Sequence, residues 1–499
     1  MHVKPVLETA HLRSDGNMAN EYRTDLLIDG KWVRSDSGKT VAVENPATEE
    51  TISEVAFGGR AETRRALEAA ARAMPAWRKA LPYERAKVLK KTADLMRERA
   101  DAIARAMTME QGKPLAEAKG EVLHSADTFE WFAEEGKRAY GQVIPHGQPG
   151  RRHLTVKHPV GVVGAISPWN FPITLQSRKI APALAAGCTI VSRPATQTPL
   201  CLIMVFECLV DAGLPAGVAN LVIGPGREMA QEFLENPICR KISFTGSTEV
   251  GKELMKGAAD QVKRLSLELG GHAPFIVFPD ADPEAGAKVA VMGKFRNNGQ
   301  VCISPSRFFV HEKVRKHFTE AAVEFTKALK QGNGLDAGIE VGPMFEGKAM
   351  EQTSRLVQDA TGKGARLLTG GKRSSKFSKG YFFEPTVLDG ITPNCSLLTE
   401  EPFAPIMPVL GFDQVDQVIE QANATKYGLA AYVFTNDLST AFRMGDGLEA
   451  GIIGINDPVP ATPQCPFGGM KESGLGRELA HEGLDAYLET KYLAIRINE

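Results

Sequence analysis

Between positions 160 and 268, short β-rich runs alternate with helical stretches: 160–167, 189–192, 220–223, 241–244 and 264–268. Strands recurring at this interval leave room for a helical crossover after each. That spacing predicts a parallel, doubly wound sheet, which binds ligands beyond the carboxyl ends of its strands. A second α/β stretch begins at 273–278 and runs to about Ile455, with strand-like 308–311, 406–412 and 430–434. At 499 residues the chain exceeds one ordinary core, so an α/β protein with two doubly wound lobes is the expectation. Two outlying β-like pieces, 153–157 and 493–498, belong to neither sheet and read as strands suited to a neighbouring subunit's edge. Upstream, Leu89, Ala93, Met96, Ala100, Ile103 and Met107 recur at spacings of three and four, predicting one amphipathic helix that Gly112-Lys113-Pro114 ends. Asp29-Gly30 marks a hairpin, and residues 1 to 22, polar and unpatterned, read as a loose terminus.

Composition removes several classes of function. Lys+Arg 59 against Asp+Glu 60 leaves no electrostatic footprint for nucleic acid or an anionic membrane. No apolar run approaches the roughly 20 residues of a membrane span, and the N-terminus lacks the order of a secretory signal, so a cytoplasmic location is expected. Seven cysteines scattered without Cys-x-x-Cys spacing, and ten histidines without His-Glu-x-x-His, give neither a disulfide framework nor a metal site.

Three segments carry chemistry together that none carries alone. Phe295-Arg296-Asn297-Asn298-Gly299-Gln300-Val301-Cys302 sets a thiol after a polar turn. Leu267-Glu268-Leu269-Gly270-Gly271 ends a strand on a carboxylate, followed by two glycines that admit close approach. Pro168-Trp169-Asn170-Phe171-Pro172 offers an amide donor at a strand end. A thiol, a base and an oxyanion donor suit acyl transfer from an aldehyde, because the thiol must ionise to attack and a thioester must then be hydrolysed. Phe244-Thr245-Gly246-Ser247-Thr248-Glu249-Val250-Gly251 follows a strand and opens a helix, where backbone amides suit a pyrophosphate.

These segments, with Glu401-Pro402-Phe403 and Pro466-Phe467-Gly468-Gly469, come in the order and spacing of the aldehyde dehydrogenase superfamily, which the chain resembles over about residues 25 to 497. The resemblance implies Cys302 as nucleophile, Glu268 as general base, Asn170 as oxyanion donor and Glu478 as proton-relay partner. It implies cofactor contacts at Ser167, Trp169, Arg193, Thr196, Gly226, Phe244, Gly246, Ser247, Glu401 and Phe403. It also implies a cofactor-binding domain over 23–145 and 160–271, a catalytic domain over 272–470, and a β flap of 146–159 and 484–499 that joins subunits into a homodimer or homotetramer. The expected partner is a small aldehyde, and no metal is expected.

Where the family carries Lys-Pro-x-Glu or Lys-Pro-x-Ser, this chain reads Arg193-Pro194-Ala195-Thr196. Loss of the carboxylate and gain of a guanidinium favour a 2′-phosphate, so NADP is expected to be accepted and slightly favoured over NAD. Glu110 to Pro114, Glu130 to Gly136 and Gly468 to Gly474 resemble succinate-semialdehyde dehydrogenases, which implies Arg178 and Arg296 as ligands of the distal carboxylate and Thr462 as a further substrate contact. Cys302-Ile303-Ser304-Pro305 and Gly270 to Pro274 resemble instead dehydrogenases of 2-oxoglutarate semialdehyde, and a general aldehyde dehydrogenase is the remaining alternative. Retention of Glu268 argues against transfer of the acyl group to coenzyme A, and retention of both Cys302 and Glu268 argues against a non-catalytic binding protein.

Overall fold

The structure, a computed structural model, describes residues 22–497. The reading of 1 to 22 as a loose terminus therefore falls on residues outside the described range, apart from Tyr22, whose hydroxyl donates to Met109 Sδ at 3.6 Å.

In the larger of the two main sheets, Val162–Ile166 lies between Thr189–Arg193 and Cys239–Thr245, with Ala219–Leu221 beyond the first and Arg264–Glu268 beyond the second, all five parallel. The chain thus winds outward to one side of Val162–Ile166, returns, and winds outward to the other. The switch point of this doubly wound order lies between the carboxyl ends of Val162–Ile166 and Cys239–Thr245. Val162–Ile166 is buried at every position, as a strand covered on both faces must be. The edges are antiparallel: Gly474–Leu475 on one side, and on the other the hairpin Leu26–Ile28 with Lys31–Val33. Asp29 and Gly30 make its turn, with φ of 54° and 72°, the left-handed pair that a tight hairpin requires.

The second sheet has seven strands, ordered Arg366–Thr369, Thr386–Asp389, Ile406–Phe412, Pro305–His311, Ala273–Val277, Ala430–Phe434 and Ile452–Ile455. All neighbouring pairs but the first are parallel. The two outlying β pieces pair with each other: Arg151–Pro159 runs antiparallel to Leu488–Arg496 along nine residue pairs, and Val143–Ile144 adds a third strand.

The expected single helix is two helices. Pro82–Glu98 stops at Arg99, which leaves helical geometry at φ −97°, ψ 12°, and Ala100–Gln111 follows at once. The apolar spacing runs through the break because both helices bury the same stripe, Leu89, Ala93, Met96, Ala100, Ile103 and Met107. Gly112 closes the second helix at φ 96°, as a left-handed cap. No helix among the described residues is long and apolar enough to cross a membrane, and no group of three or more potential metal ligands is found among them.

Candidate active site

Cys302 sits on the turn that leads into strand Pro305–His311. Asn297, Asn298 and Gly299 precede it with φ of 46°, 57° and 72°, three left-handed residues in succession that reverse the chain after helix Pro283–Phe295. At Gly271 a Cβ would stand 2.2 Å from the Cys302 carbonyl oxygen, and at Gly299 one would stand 2.3 Å from that of Ala404. Gly271 therefore lets the thiol turn pack against the segment that follows Glu268, and Gly299 lets it pack against Ala404. Burial, reinforced by Glu401, pushes the Cys302 thiol up to about 12 although Arg178 pulls the other way, so the resting side chain is the neutral thiol.

A buried polar network fixes Asn170. Lys113 Nζ donates to the Asn170 carbonyl at 2.8 Å and to Glu121 Oε2 at 2.5 Å, and it lies 4.0 Å from the centre of the Phe171 ring. Glu121 Oε1 accepts from the Ile173 and Thr174 amides, capping helix Pro172–Ala186. Asn297 Nδ2 reaches the same Asn170 carbonyl at 3.0 Å, and Gln111 holds Asn297. The Asn170 amide donates to the Gln300 carbonyl at 3.1 Å. An amide has a second hydrogen, which leaves a donor on Asn170 for an oxyanion. Lys113 and Glu121 were not singled out from sequence, because their meaning depends on partners 57 and 52 residues away.

Glu268 is 3% exposed and neither of its carboxylate oxygens has a hydrogen-bond partner among the described residues. Burial first, then the nearby Glu478, raises its pKa well above the carboxylate range, while Lys179 and Arg178 oppose the shift. Glu478 is held by Lys179 Nζ at 2.6 Å, and the same ammonium donates to Thr245 Oγ1 at 2.6 Å. Lys179 is a member of this cluster that sequence reading missed.

Two cavities meet at the thiol. One, of ≈ 270 Å³, is bounded by Pro168, Trp169, Asn170, Thr245 to Ser247, Leu269, Gly270, Glu401 and Phe403, with Cys302 and Leu175 at its end. It opens at the switch point, where Ser247 caps helix Thr248–Ala258 by accepting from the Val250 amide. A Cβ at Gly246 would stand 2.3 Å from the Phe244 ring and one at Gly270 2.7 Å from Glu401 Oε2, so both glycines keep backbone accessible to a ligand. Trp169 stacks on Phe345 at 4.0 Å and meets Phe403 edge-on at 5.8 Å. A crevice at a helix N-terminus, with aromatic walls and a buried carboxylate, fits a nicotinamide nucleotide. Farther along, Arg193 donates to the Gly224 carbonyl and to Thr196 Oγ1, Gly226 packs against its guanidinium, and no carboxylate pairs with it among the described residues. Burial alone pushes Arg193 down to about 10. Ser167 lies deeper, its hydroxyl accepting from Gln176 Nε2 at 2.8 Å.

The other cavity, of ≈ 290 Å³, shares Cys302 and Leu175 and is lined by His124, Phe171, Arg178, Arg296, Val459 and Phe467, among others. The Arg178 guanidinium lies 4.1 Å over the Phe467 ring and that of Arg296 5.1 Å over Phe171. Neither arginine makes an ion pair within 4 Å among the described residues, and Arg178 Nε is buried without a partner. Thr462 is not on this wall. Val459 and Ala461 hold that stretch of the cavity, while the Thr462 carbonyl accepts from the Cys465 amide. A further cleft, of ≈ 570 Å³, lies elsewhere, between helix Arg60–Lys79 and Pro237 to Arg240, and contains none of the motif residues.

A doubly wound sheet whose switch-point crevice ends on the Cys302 thiol defines the class of protein, an NAD(P)-dependent oxidoreductase. The sequence model of the aldehyde dehydrogenase family matches residues 32–493, and the chain belongs to that family. It is 46% identical to a glutarate-semialdehyde dehydrogenase of Pseudomonas putida, over 96% of this chain and 99% of that one. It is equally 46% identical to an NADP(+) succinate-semialdehyde dehydrogenase of Escherichia coli, again over 96% and 99%. The crystal structure of a succinate-semialdehyde dehydrogenase from Burkholderia pseudomallei superposes with a TM-score of 0.94 at 44% identity, covering 97% of this chain and 99% of the other.

Proposed function

We propose that the protein oxidises a semialdehyde carrying a distal carboxylate, succinate semialdehyde in the first place, with the aldehyde entering the ≈ 290 Å³ cavity and the cofactor the ≈ 270 Å³ one. The observation that carries this reading is the pair of arginines, neither in an ion pair within 4 Å among the described residues, in a cavity that ends on Cys302. Two guanidiniums in a desolvated pocket call for an anion, and charge-assisted, bidentate hydrogen bonds to a carboxylate answer it.

In the mechanism, Cys302 loses its proton to water and its sulfur attacks the aldehyde carbon, forming a thiohemiacetal whose oxyanion the free hydrogen of the Asn170 amide and the Cys302 amide receive. A nicotinamide nucleotide held by Trp169, Gly246, Ser247, Glu401 and Phe403 would supply the hydride acceptor needed for the adduct to become a thioester. Glu268 then takes a proton from water, which attacks the thioester carbon and releases the acid and the Cys302 thiolate. Glu478, held by Lys179, faces Glu268 and passes that proton onward. Arg296→Met is expected to lower kcat/KM for succinate semialdehyde about 10- to 100-fold more than it lowers kcat/KM for butanal. Equal losses on both aldehydes would remove Arg296 from substrate recognition.

For the cofactor, the reading is that NADP is preferred and that Arg193, Thr196 and Gly226 surround its 2′-phosphate. The support is a buried guanidinium with only neutral partners. Arg193→Gln should lower kcat/KM for NADP+ by about tenfold or more relative to NAD+, and an unchanged ratio would defeat the assignment. Residues 23–145 and 160–271 are assigned to cofactor binding and 272–470 to catalysis. The flap, 146–159 with 484–499, is assigned to a homodimer or homotetramer contact, in keeping with Tyr492, Leu493 and Ile495 standing exposed on its strand. A substrate of the 2-oxoglutarate-semialdehyde kind is the second reading, which His124 favours as argued next.

A further inference from the structure

Helix Leu115–Glu135 turns one face toward the substrate cavity, and Glu117, Gly120, Glu121 and His124 follow one another along it at helical spacing. The two carboxylates are occupied. Glu121 is bound by Lys113 and two backbone amides, and Glu117 accepts from the Asn297 amide and lies in the field of Arg296. His124 is half-buried, and its imidazole makes no hydrogen bond or ion pair among the described residues. It shares the cavity with Arg178 and Arg296, which already supply more donors than one carboxylate can accept.

Resting on the carboxylate reading above, we propose that His124 is a specificity-determining residue that hydrogen-bonds an uncharged oxygen, oxo or hydroxyl, on the substrate's carbon chain beside its carboxylate. Among five-carbon ω-aldehyde acids, those bearing a second oxygen are then preferred over the plain acid. Burial, joined by Arg178 and Arg296 and opposed by Asp127, pushes the imidazole down to about 4. The ring is therefore neutral at ordinary pH, with one N–H donor and one nitrogen acceptor. A neutral ring is suited to a carbonyl or hydroxyl oxygen and adds no third positive charge. With an unoxygenated chain, the ring faces apolar methylenes and its polar atoms lose water without a replacement.

The test is kcat/KM for 5-oxopentanoate, 2,5-dioxopentanoate, 2-hydroxy-5-oxopentanoate and pentanal, with the wild type, His124→Phe and His124→Gln, cofactor saturating. The wild type should favour at least one oxygenated acid over 5-oxopentanoate by about tenfold or more, the size of one well-placed hydrogen bond. The oxo and hydroxyl arms show which oxygen is read. His124→Phe should lose that preference, and His124→Gln, which keeps a donor and an acceptor, should retain part of it. Equal losses on all three acids in His124→Phe, or no preference in the wild type, would overturn the proposal. The comparison of 5-oxopentanoate with pentanal is independent of His124, so a failed carboxylate pocket appears there and is not confused with a failed His124 contact.

Discussion

Cys302→Ala is expected to lower aldehyde turnover by roughly 10⁵-fold or more while leaving cofactor binding measurable, because removal of a covalent nucleophile forfeits the whole bond-forming path and not a share of it. The side chain lies where the two cavities join, so the substitution empties a small volume at their boundary and leaves the walls of the cofactor crevice in place. Equilibrium binding of NADP+, read by quenching of Trp169 fluorescence, separates loss of chemistry from loss of fold. Dehydrogenase activity retained within tenfold would show that hydride leaves the aldehyde without a sulfur adduct. The same experiment bears on the thiol's state. Burial raises the resting thiol to about 12 and so keeps it protonated at neutral pH, and its alkylation should accelerate when a positively charged nicotinamide is bound in the adjoining cavity.

Glu268→Gln is the second large effect. Glu268 is assigned to the hydrolytic half, so the variant should release about one equivalent of reduced cofactor per active site in a burst and then turn over on the order of 10³-fold more slowly. The two halves of the reaction become visible separately. Loss of the burst itself would move Glu268 to activation of the thiol. In the wild type the acid limb of kcat follows the raised pKa of Glu268. Its base form is present above that pKa and is lost as pH falls through it, so activity should decline at a pH well above the ordinary carboxylate range. The limb should vanish in Glu268→Gln.

What the sequence made legible were features whose meaning is local. Strand and helix alternation disclosed the parallel sheet, and segments at strand ends, Pro168 to Pro172, Gly246-Ser247 and Leu269-Gly270, came together around the crevice because a parallel sheet sends all its carboxyl ends one way. Residues whose role depends on distant partners were silent. Lys113 reads as an ordinary helix-terminal lysine until Glu121 and the Asn170 carbonyl are beside it, and Lys179 until Glu478 arrives from 299 residues away. His124 lies in an amphipathic helix whose inward polar face is distinguishable from a solvated one only when Arg178 and Arg296 face it. The break at Arg99 was invisible because both helices share one buried stripe, and a non-repetitive loop does not disclose that Val459 and Ala461, and not Thr462, line the cavity. Pairing of Arg151–Pro159 with Leu488–Arg496 spans most of the chain, beyond any spacing rule.

The central claim is a carboxylate pocket leading to a catalytic thiol, and kcat/KM for succinate semialdehyde against butanal, its equal-length analogue without the carboxylate, tests it most directly at saturating NADP+. Paired charge-assisted hydrogen bonds from Arg178 and Arg296 predict a preference for the acid of about thirty-fold to a thousand-fold. Equal values for the two aldehydes would contradict the account, leaving both arginines structural and the enzyme a general oxidant of aldehydes.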